Sequence, residues 1–531
     1  MPETTPLLAG NAANPTSTAH NSPFSRFNLK TRNRKVAVAT VGVLVVFALG
    51  WHLFSGRNFA PADLASEITS KNLLGHLTAF SDLAAKNNGT RSVPGPYLAS
   101  VEYVYDQLSE KTDYIVTKQQ FIFPLFVIHS NSTLNISGSS PLFFDLILLP
   151  LKGRDFIPFG KSGAGSASGT LQTISVGCSA SDFTHFKHGN IALVPREPAV
   201  GGNPEPCIYR QKIANAVKAG ASAVLLYSNL PSESPVAGGF PVDTKKRPTY
   251  GLTQTLALSL LQKLALGVEV YVSLTSNVAY VDVVTFNVLA ETKAGDENNV
   301  ILAGSHLDSV PAGPGINDDS SGSSATLEVA LSLYRTGLSR SVVNKVRFAF
   351  WSAEELGLIG SNHYVDDLAE NNPSELKKIA LNLNNDMIAS PNGARFIYDG
   401  RNAVDPKLRG PSGVIQSVFQ AYFDAKKLPH EPTEFDGRSD YGGFLKYGIP
   451  AGGLFTGAEQ IKSIEQAQIY GGTAGVAFDP CYHLACDTLD HVTKGEKGLG
   501  FDLFVELAGS MGHIVHKLAF VNDLRGFLNG N

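Results

Sequence analysis

The sequence is short of cysteine and of net charge, and each shortage excludes a class of function. Only 4 of the 531 residues are cysteine, and their spacing fits no zinc-ribbon pattern. The formal net charge is -4, and no basic stripe runs through the body of the chain. A protein with this charge has no long-range attraction for a nucleic-acid backbone. We therefore expect neither a zinc-thiolate domain nor a nucleic-acid partner.

Hydrophobic residues, by contrast, are plentiful. They make up 43% of the chain, which is enough to bury a large core and excludes a disordered protein. A length of 531 residues favours two folded domains over one. The sequence does not predict an oligomeric state.

Long apolar runs are also scarce, and the longest lies near the N-terminus. Residues 36–54 are uncharged and mostly apolar, and at about 1.5 Å per residue such a helix nearly crosses a hydrocarbon core of about 30 Å. Basic residues before the run favour a cytoplasmic side for residues 1–35, which we expect to form a disordered tail. A cleaved signal peptide is the alternative, because Ala48 and Gly50 are small. The long polar leader favours a retained single-pass transmembrane anchor.

N-glycosylation acceptor triplets all lie beyond this apolar run. They begin at Asn88, Asn131 and Asn135. Their position favours a lumenal or extracellular body for the protein. The string Glu3-Thr-Thr-Pro-Leu-Leu resembles an acidic dileucine signal that directs proteins to a vacuole or lysosome, although an ordinary disordered leader explains it as well. We expect a vacuolar membrane protein with a lumenal catalytic domain, or a secreted protein if the leader is cleaved.

The four cysteines fall into two local pairs. Cys178 lies near Cys207 in the sequence, and Cys481 lies near Cys486. In an oxidising lumen each pair is expected to form a disulfide, although the sequence also permits other connectivities. The second disulfide would brace the loop that carries His483.

Hydrophobic periodicity divides the body into three parts. Residues 60–145 begin with two helices, at 60–83 and 96–108, and a strand at 114–127. Residues 146–285 contain short apolar runs between Gly, Ser and Pro clusters, and the stretch 189–227 resembles the protease-associated domain inserted in several zinc peptidases. Residues 286–525 alternate strands and helices. That order predicts an α/β domain, with a central, mostly parallel sheet covered by helices on both faces.

Metal-ligating side chains follow three apolar runs of the last part. The run 300–304 leads to His306 and Asp318, the run 346–351 leads to Glu355, and the run 379–385 leads to Asp386. A fifth candidate is His483. Taken singly, each residue has an ordinary explanation, such as a strand-end histidine, a helix cap or a turn. Together they form a nitrogen and oxygen set suited to zinc, at the strand ends where α/β sheets place their sites.

Seven short strings along residues 290–490 carry a family resemblance. They are His306-Leu-Asp-Ser-Val, Gly315-Ile-Asn-Asp-Asp, Ala353-Glu-Glu-Leu-Gly-Leu-Ile-Gly-Ser, Asn385-Asp-Met, Phe435-Asp-Gly-Arg-Ser-Asp, Gly453-Leu-Phe-Thr-Gly and Cys481-Tyr-His-Leu-Ala-Cys. In this order they resemble the co-catalytic di-zinc aminopeptidases. With its insert, the chain is similar to the fungal vacuolar and leucine aminopeptidase type.

The resemblance implies a role for each ligand. His306 and Asp386 would hold one Zn²⁺, Glu355 and His483 would hold the other, and Asp318 would bridge the two. The carboxylate next to this set, Glu354, would be the general base that takes the proton of a metal-bridging water.

Further residues match supporting positions of the same family. Asp308 would orient the ring of the first ligand histidine, and Tyr482 would stabilise the developing oxyanion. Arg438 and Phe455 would line the substrate pocket, although a surface ion pair and a core aromatic are their ordinary alternatives. The chain departs from bacterial members at Tyr441, where a histidine is usual, so the specificity of the pocket is not predicted.

These inferences lead to one function and two alternatives. We expect a zinc-dependent aminopeptidase that removes N-terminal residues, preferably large and apolar ones such as leucine, from peptides with a free N-terminus. A membrane-anchored di-zinc carboxypeptidase is one alternative, but little chain remains beyond His483 for the dimerisation region of that group. A metal-free receptor on a dead peptidase fold is the other, and the complete ligand set argues against it.

Overall fold

The computed structural model describes residues 63–129, 131–140, 143–148, 152–196, 207–229, 234–238 and 247–530. The predicted tail at 1–35 and the predicted membrane anchor at 36–54 lie outside these ranges. Within them, no helix is both long enough and apolar enough to cross a bilayer.

The described strands form two sheets. They are β1 (Ile115–Ile128), β2 (Thr133–Ser140), β3 (Phe143–Leu148), β4 (Phe156–Pro158), β5 (Gly165–Thr173), β6 (Ile191–Pro195), β7 (Ala223–Tyr227), β8 (Thr249–Leu252), β9 (Glu269–Ser276), β10 (Val278–Glu291), β11 (Asp296–His306), β12 (Asn344–Trp351), β13 (Ile379–Asn385), β14 (Phe396–Tyr398), β15 (Glu431–Thr433) and β16 (Ala451–Phe455).

The α-helices are distributed along the whole described chain. They are α1 (Ser70–Lys86), α2 (Tyr97–Lys111), α3 (Tyr209–Lys218), α4 (Gln254–Ala265), α5 (Ser320–Arg335), α6 (Ile359–Asn371), α7 (Pro373–Lys378), α8 (Arg409–Lys426), α9 (Tyr441–Lys446), α10 (Ile464–Tyr470), α11 (Leu489–Lys494), α12 (Leu499–Ala519) and α13 (Leu524–Leu528). Short 3₁₀ helices cover Leu64–Glu67, Ala180–Phe183, Leu338–Arg340, Gly400–Asn402, Pro406–Leu408 and Gly495–Gly498.

The first sheet has the strand order β1-β10-β12-β11-β13-β16-β14-β15. Its four central strands, β12, β11, β13 and β16, are all parallel to their neighbours in this group. The long strands β1 and β10 form an antiparallel pair at one edge. The expected α/β sheet with a parallel centre is therefore present.

Helices cover both faces of this sheet because successive residues of its buried strands point to opposite sides. Ile301 and Ala303 of β11 belong to a large core that includes residues of α5 and α12, such as Leu327 and Met511. Leu302, between them, packs in a separate cluster with residues of α6 and α9. Strands buried on both faces read as continuous apolar runs, which is the pattern seen in the sequence.

The second sheet belongs to the inserted domain and has the order β3-β2-β9-β5-β6-β7-β8-β4. It runs from Thr133 to Ser276, whereas the sequence predicted an insert over 146–285. Both boundaries lie earlier because Leu134 and Ile136 of β2 already pack into the core of this domain. After Asn277, the chain returns at once to the first sheet as β10.

One local prediction also needs correction. The single helix expected over 60–83 is a 3₁₀ turn, Leu64–Glu67, followed by α1 from Ser70 to Lys86. The first piece ends at Glu67, and Thr69 caps the second, because its side chain accepts a hydrogen bond from the Asn72 amide. A capping side chain favours a new helix start over continuation, and the apolar spacing alone does not reveal it.

Candidate metal centre

Three adjacent parallel strands deliver the candidate ligands to one edge of the sheet. Strand β11 ends at His306, and its neighbour β13 ends at Asn385, directly before Asp386. On the other side, Trp351 of β12 lies opposite His306 in the parallel register, and the chain then turns into Glu354. The carboxyl ends of parallel strands meet at one edge, so these residues converge although they are far apart in sequence.

The five predicted ligands lie together around Asp318. The His306 Nε2 atom is 3.0 Å from Asp318 Oδ1 and 3.5 Å from Asp386 Oδ1. The His483 Nε2 atom is 3.2 Å from Asp318 Oδ2 and 2.9 Å from Glu355 Oε2. The side chains thus form two overlapping groups, each able to hold a cation, and Asp318 gives one oxygen to each.

The chemistry of these atoms fits a pair of cations. Asp386 Oδ1 and Glu355 Oε1 are buried, and neither has a hydrogen-bond partner among the described residues. Burial and the nearby Asp318 raise the pKa of Glu355 to about 7, although His483 opposes this shift. Buried carboxylate oxygens without donors need positive charge. A set of imidazole nitrogens and carboxylate oxygens is one that zinc accepts.

Asp308 lies where the sequence expected it, beside the first histidine. Its Oδ1 atom is 3.7 Å from His306 Nδ1 and accepts a hydrogen bond of 3.1 Å from the Glu354 amide. The carboxylate therefore faces the ring nitrogen that points away from Asp318. It also fixes the backbone at the start of the Glu354-Glu355 loop.

Asp487 holds the backbone at Asp318, the residue predicted to bridge two ions, and sequence reasoning missed it. Its two oxygens accept hydrogen bonds from the amides of Asn317, at 2.8 Å, and Asp318, at 3.0 Å. A second buried acid, Asp479, accepts from the Asn317 side chain at 2.6 Å and lies 2.9 Å from His491 Nε2. One feature of the sequence could have indicated its role: Asp487 lies only four residues after His483, a predicted ligand.

The backbone is strained next to several ligands. Ala353 (φ 56°), Met387 (φ 53°) and His483 (φ 59°) adopt the left-handed region without being glycine. Such residues cost of order 1–3 kcal/mol each and cluster at functional sites. At these three positions the strained turn redirects the chain beside a candidate ligand.

Both predicted disulfides are confirmed. Cys481 is bonded to Cys486, and this short loop contains Tyr482 and His483. The Tyr482 ring stacks on the His483 ring with centroids 3.8 Å apart. The other disulfide joins Cys178 to Cys207 in the inserted domain.

A cavity of about 70 Å³ opens beside Asp386 and contains the remaining predicted site residues. Its lining includes Phe455, Arg438 and Tyr482. The aromatic floor is extended by Tyr398 and Tyr441, whose ring centroids are 4.8 Å apart. Tyr441, which stands where bacterial members usually have a histidine, thus supplies an aromatic wall of the cavity. Arg438 lies at the exposed lip, 3.0 Å from Glu459.

Three further histidines among the described residues have structural contacts. His363 stacks on Phe121 at 4.3 Å, and His430 stacks on Phe423. His491 contacts Asp479, which in turn accepts from the Asn317 side chain, so His491 lies behind the candidate metal centre.

Comparison with known proteins identifies the two parts of the chain. The model of Peptidase family M28 matches residues 287–507, and the PA domain model matches residues 168–260. An aminopeptidase of Pseudomonas aeruginosa is 39% identical over 458 residues, which cover 82% of this chain and 79% of that protein. Leucine aminopeptidase 2 of Arthroderma otae is 37% identical over 478 residues, which cover 88% of this chain and 89% of that protein.

Solved structures agree in fold. An aminopeptidase from Aneurinibacillus sp. strain AM-1 superposes with a TM-score of 0.64 at 24% identity, covering 86% of this chain and 96% of that one. A zinc aminopeptidase from Bacillus subtilis superposes with a TM-score of 0.58 at 22% identity, covering 85% and 95%. The identity over most of the two curated relatives confirms the expected family. The chain belongs to Peptidase family M28 and carries a PA domain.

Proposed function

We propose that this M28 peptidase is a di-zinc aminopeptidase that removes large apolar residues from the N-terminus of peptides. The observation that carries the proposal is the position of Asp318, whose two oxygens face His306 and His483 separately. Asp386 and Glu355 complete the two groups. The relatives named aminopeptidase support the reaction, and the relative named a zinc aminopeptidase supports the metal.

Two zinc ions, when bound, would acidify a water molecule and polarise the scissile carbonyl. Glu354 would receive the proton of the attacking water and pass it to the leaving amine. Loss of solvent raises the pKa of Glu354 well above its usual value, and Asp386 and Asp440 raise it further, whereas His306 opposes them.

Tyr482 would donate a hydrogen bond to the oxyanion that develops on the carbonyl. Its pKa is raised by burial and by the neighbouring Asp318, Asp386 and Glu355. The phenol therefore keeps its proton at the pH of any cellular compartment and is available as a donor. The stacked His483 ring holds it beside the metal centre.

The cavity next to Asp386 supports a preference for large apolar first residues. Phe455, Tyr398 and Tyr441 give it an aromatic floor, against which a large apolar side chain can pack. The carboxylates around the zinc ions would bind the free amine of the substrate. Relatives named leucine aminopeptidase support this preference.

We also propose a lumenal location, with the anchor at residues 36–54 and a vacuolar membrane as its setting. Both disulfides need an oxidising compartment. The three acceptor asparagines, Asn88, Asn131 and Asn135, are exposed, as glycosylation requires. N-terminal sequencing and glycosidase treatment of the mature protein would test the anchor and the glycans.

The enzymatic proposal is tested with the purified lumenal protein. It should release leucine from a chromogenic leucine amide, lose this activity in a chelator and regain it with added zinc. An N-blocked peptide should be resistant, and a C-blocked peptide should be cleaved. Cleavage of only the N-blocked peptide would show a carboxypeptidase, and a protein that binds no zinc would contradict the proposal altogether.

A further inference from the structure

Arg91 reaches the metal centre from a segment about 200 residues earlier in the chain. It lies between α1 and α2, and its side chain is fully buried. The guanidinium donates to the carbonyl oxygens of Leu307 at 2.5 Å, Pro314 at 2.8 Å and Gly315 at 2.8 Å. A longer contact of 3.4 Å joins it to the carbonyl of Asp308.

These carbonyls lie at the two ends of one loop. The loop runs from residue 307 to residue 317 and connects His306 to Asp318. Leu307 and Asp308 directly follow the histidine, whereas Pro314 and Gly315 precede the bridging aspartate by a few residues. One planar group with its donors in a fixed fork therefore ties the two ends of the loop together.

The arginine is itself held in position. Its backbone amide donates to Ser309 Oγ at 3.0 Å, and the same hydroxyl donates to Gly313 O at 2.9 Å. The guanidinium carbon lies 5.2 Å from the centre of the Phe80 ring. The loop is thus fastened to the segment between α1 and α2, at both ends through the Arg91 guanidinium and at Ser309 through the Arg91 amide.

The buried charge of Arg91 needs an explanation beyond packing. Its close contacts are neutral carbonyls, and an arginine stays protonated in proteins. Burying a charge without a directly bonded counter-ion costs free energy. An apolar side chain would therefore stabilise the fold at least as well if Arg91 had only a structural role. The negative field of the nearby Asp308, Asp318 and Asp487 compensates the charge.

We propose that Arg91 is a positioning residue of the metal centre, which fixes the separation of His306 and Asp318 by clamping the loop between them. This inference rests on the metal-dependent function proposed above. Arg91 touches neither candidate ligand side chain in the contacts described, so it acts through the loop. The peptidase segment before the inserted domain thereby supports a metal centre whose candidate ligands all lie after that domain.

Arg91→Lys is the main test, because lysine keeps the charge but lacks the planar fork. The zinc-loaded full-length protein is mixed with a chromogenic zinc chelator, and the rate of zinc release is measured together with kcat and KM at saturating zinc. We expect faster zinc release and a lower kcat, each by about 10- to 100-fold as for other residues that orient metal ligands, with KM within about twofold.

Arg347→Lys is the matched control. Arg347 is a half-buried arginine whose side chain is 16% exposed, and it lies on β12 and contacts Glu291 and Tyr364 instead of a ligand loop. This variant should lower the melting temperature and leave zinc release and kcat near the wild-type values. If Arg91→Lys behaves like this control, the proposal is wrong.

Ser309→Ala keeps the test decisive if Arg91→Lys does not fold. It removes a small group that fastens Arg91 to the loop, and we expect the same changes at a lower amplitude. Wild-type zinc release and kcat in Ser309→Ala would then overturn the proposal. A wild-type protein that holds no zinc would instead contradict the proposed function, so the two failures are distinguishable.

Discussion

Ser439 donates a hydrogen bond of 2.6 Å to Oδ2 of Asp386. The other oxygen of this carboxylate, Oδ1, stays without a described donor and faces His306 at 3.5 Å. Oδ2 therefore accepts a hydrogen bond from Ser439, whereas Oδ1 remains available to a metal ion. The Asn384 side chain donates to Ser439 Oγ at 2.8 Å and fixes the hydroxyl in this role.

Removing this hydroxyl should loosen one metal position. We expect Ser439→Ala to weaken zinc binding by about tenfold at the position proposed for His306 and Asp386, with less effect at the other proposed position. Titration of the metal-free protein with zinc, and the absorption spectrum of the cobalt-substituted protein, would measure this difference. Ser510→Ala is the control, because Ser510 is also buried and its hydroxyl has no hydrogen-bond partner among the described residues. Equal affinities in both variants would contradict the role of Ser439.

The same substitution at the neighbouring Glu354 and Glu355 should affect metal content differently. Glu354→Gln should keep both metals but lower kcat by about 100- to 10,000-fold, because the amide does not accept the proton of the attacking water. Glu355→Gln should lose metal, since Glu355 Oε2 lies 2.9 Å from His483 Nε2 in one of the two ligand groups. Metal content and kcat, measured on the same preparations, separate the two. A Glu354→Gln protein with normal turnover would rule out Glu354 as the base.

The disulfide between Cys481 and Cys486 should matter for metal retention because it closes the loop that carries His483. Replacing both cysteines with serine should speed zinc release into a chelator and lower kcat. The matched control replaces Cys178 and Cys207, whose disulfide lies in the inserted domain. That double variant should lose thermal stability and keep its zinc. Similar zinc release from both double variants would count against a bracing role for the first disulfide.

His306, Glu355 and Asp386 were predictable because each lies at or shortly after the end of its own buried strand. The apolar runs before His306 and Asp386 have a simple pattern, and parallel strands bring their ends together whatever the loops do. Ser439, Asp487 and Arg91 were not predictable in this way. They act through a hydroxyl, through two backbone amides and through carbonyls, and such contacts depend on loop geometry that no residue pattern encodes.

The boundaries of the inserted domain were less predictable for a related reason. Strand β10 begins at Val278, directly after β9 ends at Ser276, so no loop of turn residues separates the two sheets. The pairing of β10 with β1 assigns it to the first sheet, and pairing across that distance is not a local property of the sequence.

Lys462 offers a test that does not involve the metal ligands. It is 1% exposed, and its Nζ atom donates to the Gly393 carbonyl at 2.8 Å. It thereby holds the segment that follows Ala458 and Gln460 of the substrate cavity. Burial lowers the pKa of Lys462 to about 8, although Glu496 opposes the shift.

This shift predicts how stability depends on pH. Below pH 8, Lys462 carries its proton in both the folded and the unfolded protein, so burying the charge lowers the free energy of unfolding by a constant amount. Between pH 8 and the usual lysine pKa of about 10.5, the folded protein has released the proton and the unfolded protein has not. Raising the pH in this window therefore stabilises the fold.

The comparison with Lys462→Met isolates this effect, because the variant has no proton to release there. The free energy of unfolding of the wild type, minus that of the variant, should be constant below pH 7 and rise by about 1 kcal/mol per pH unit above pH 8. Urea unfolding of the zinc-loaded proteins from pH 6 to pH 10 would measure it. A difference that stays flat across this range, or falls, would show that Lys462 keeps its proton in the folded protein and that its burial does not favour the neutral amine.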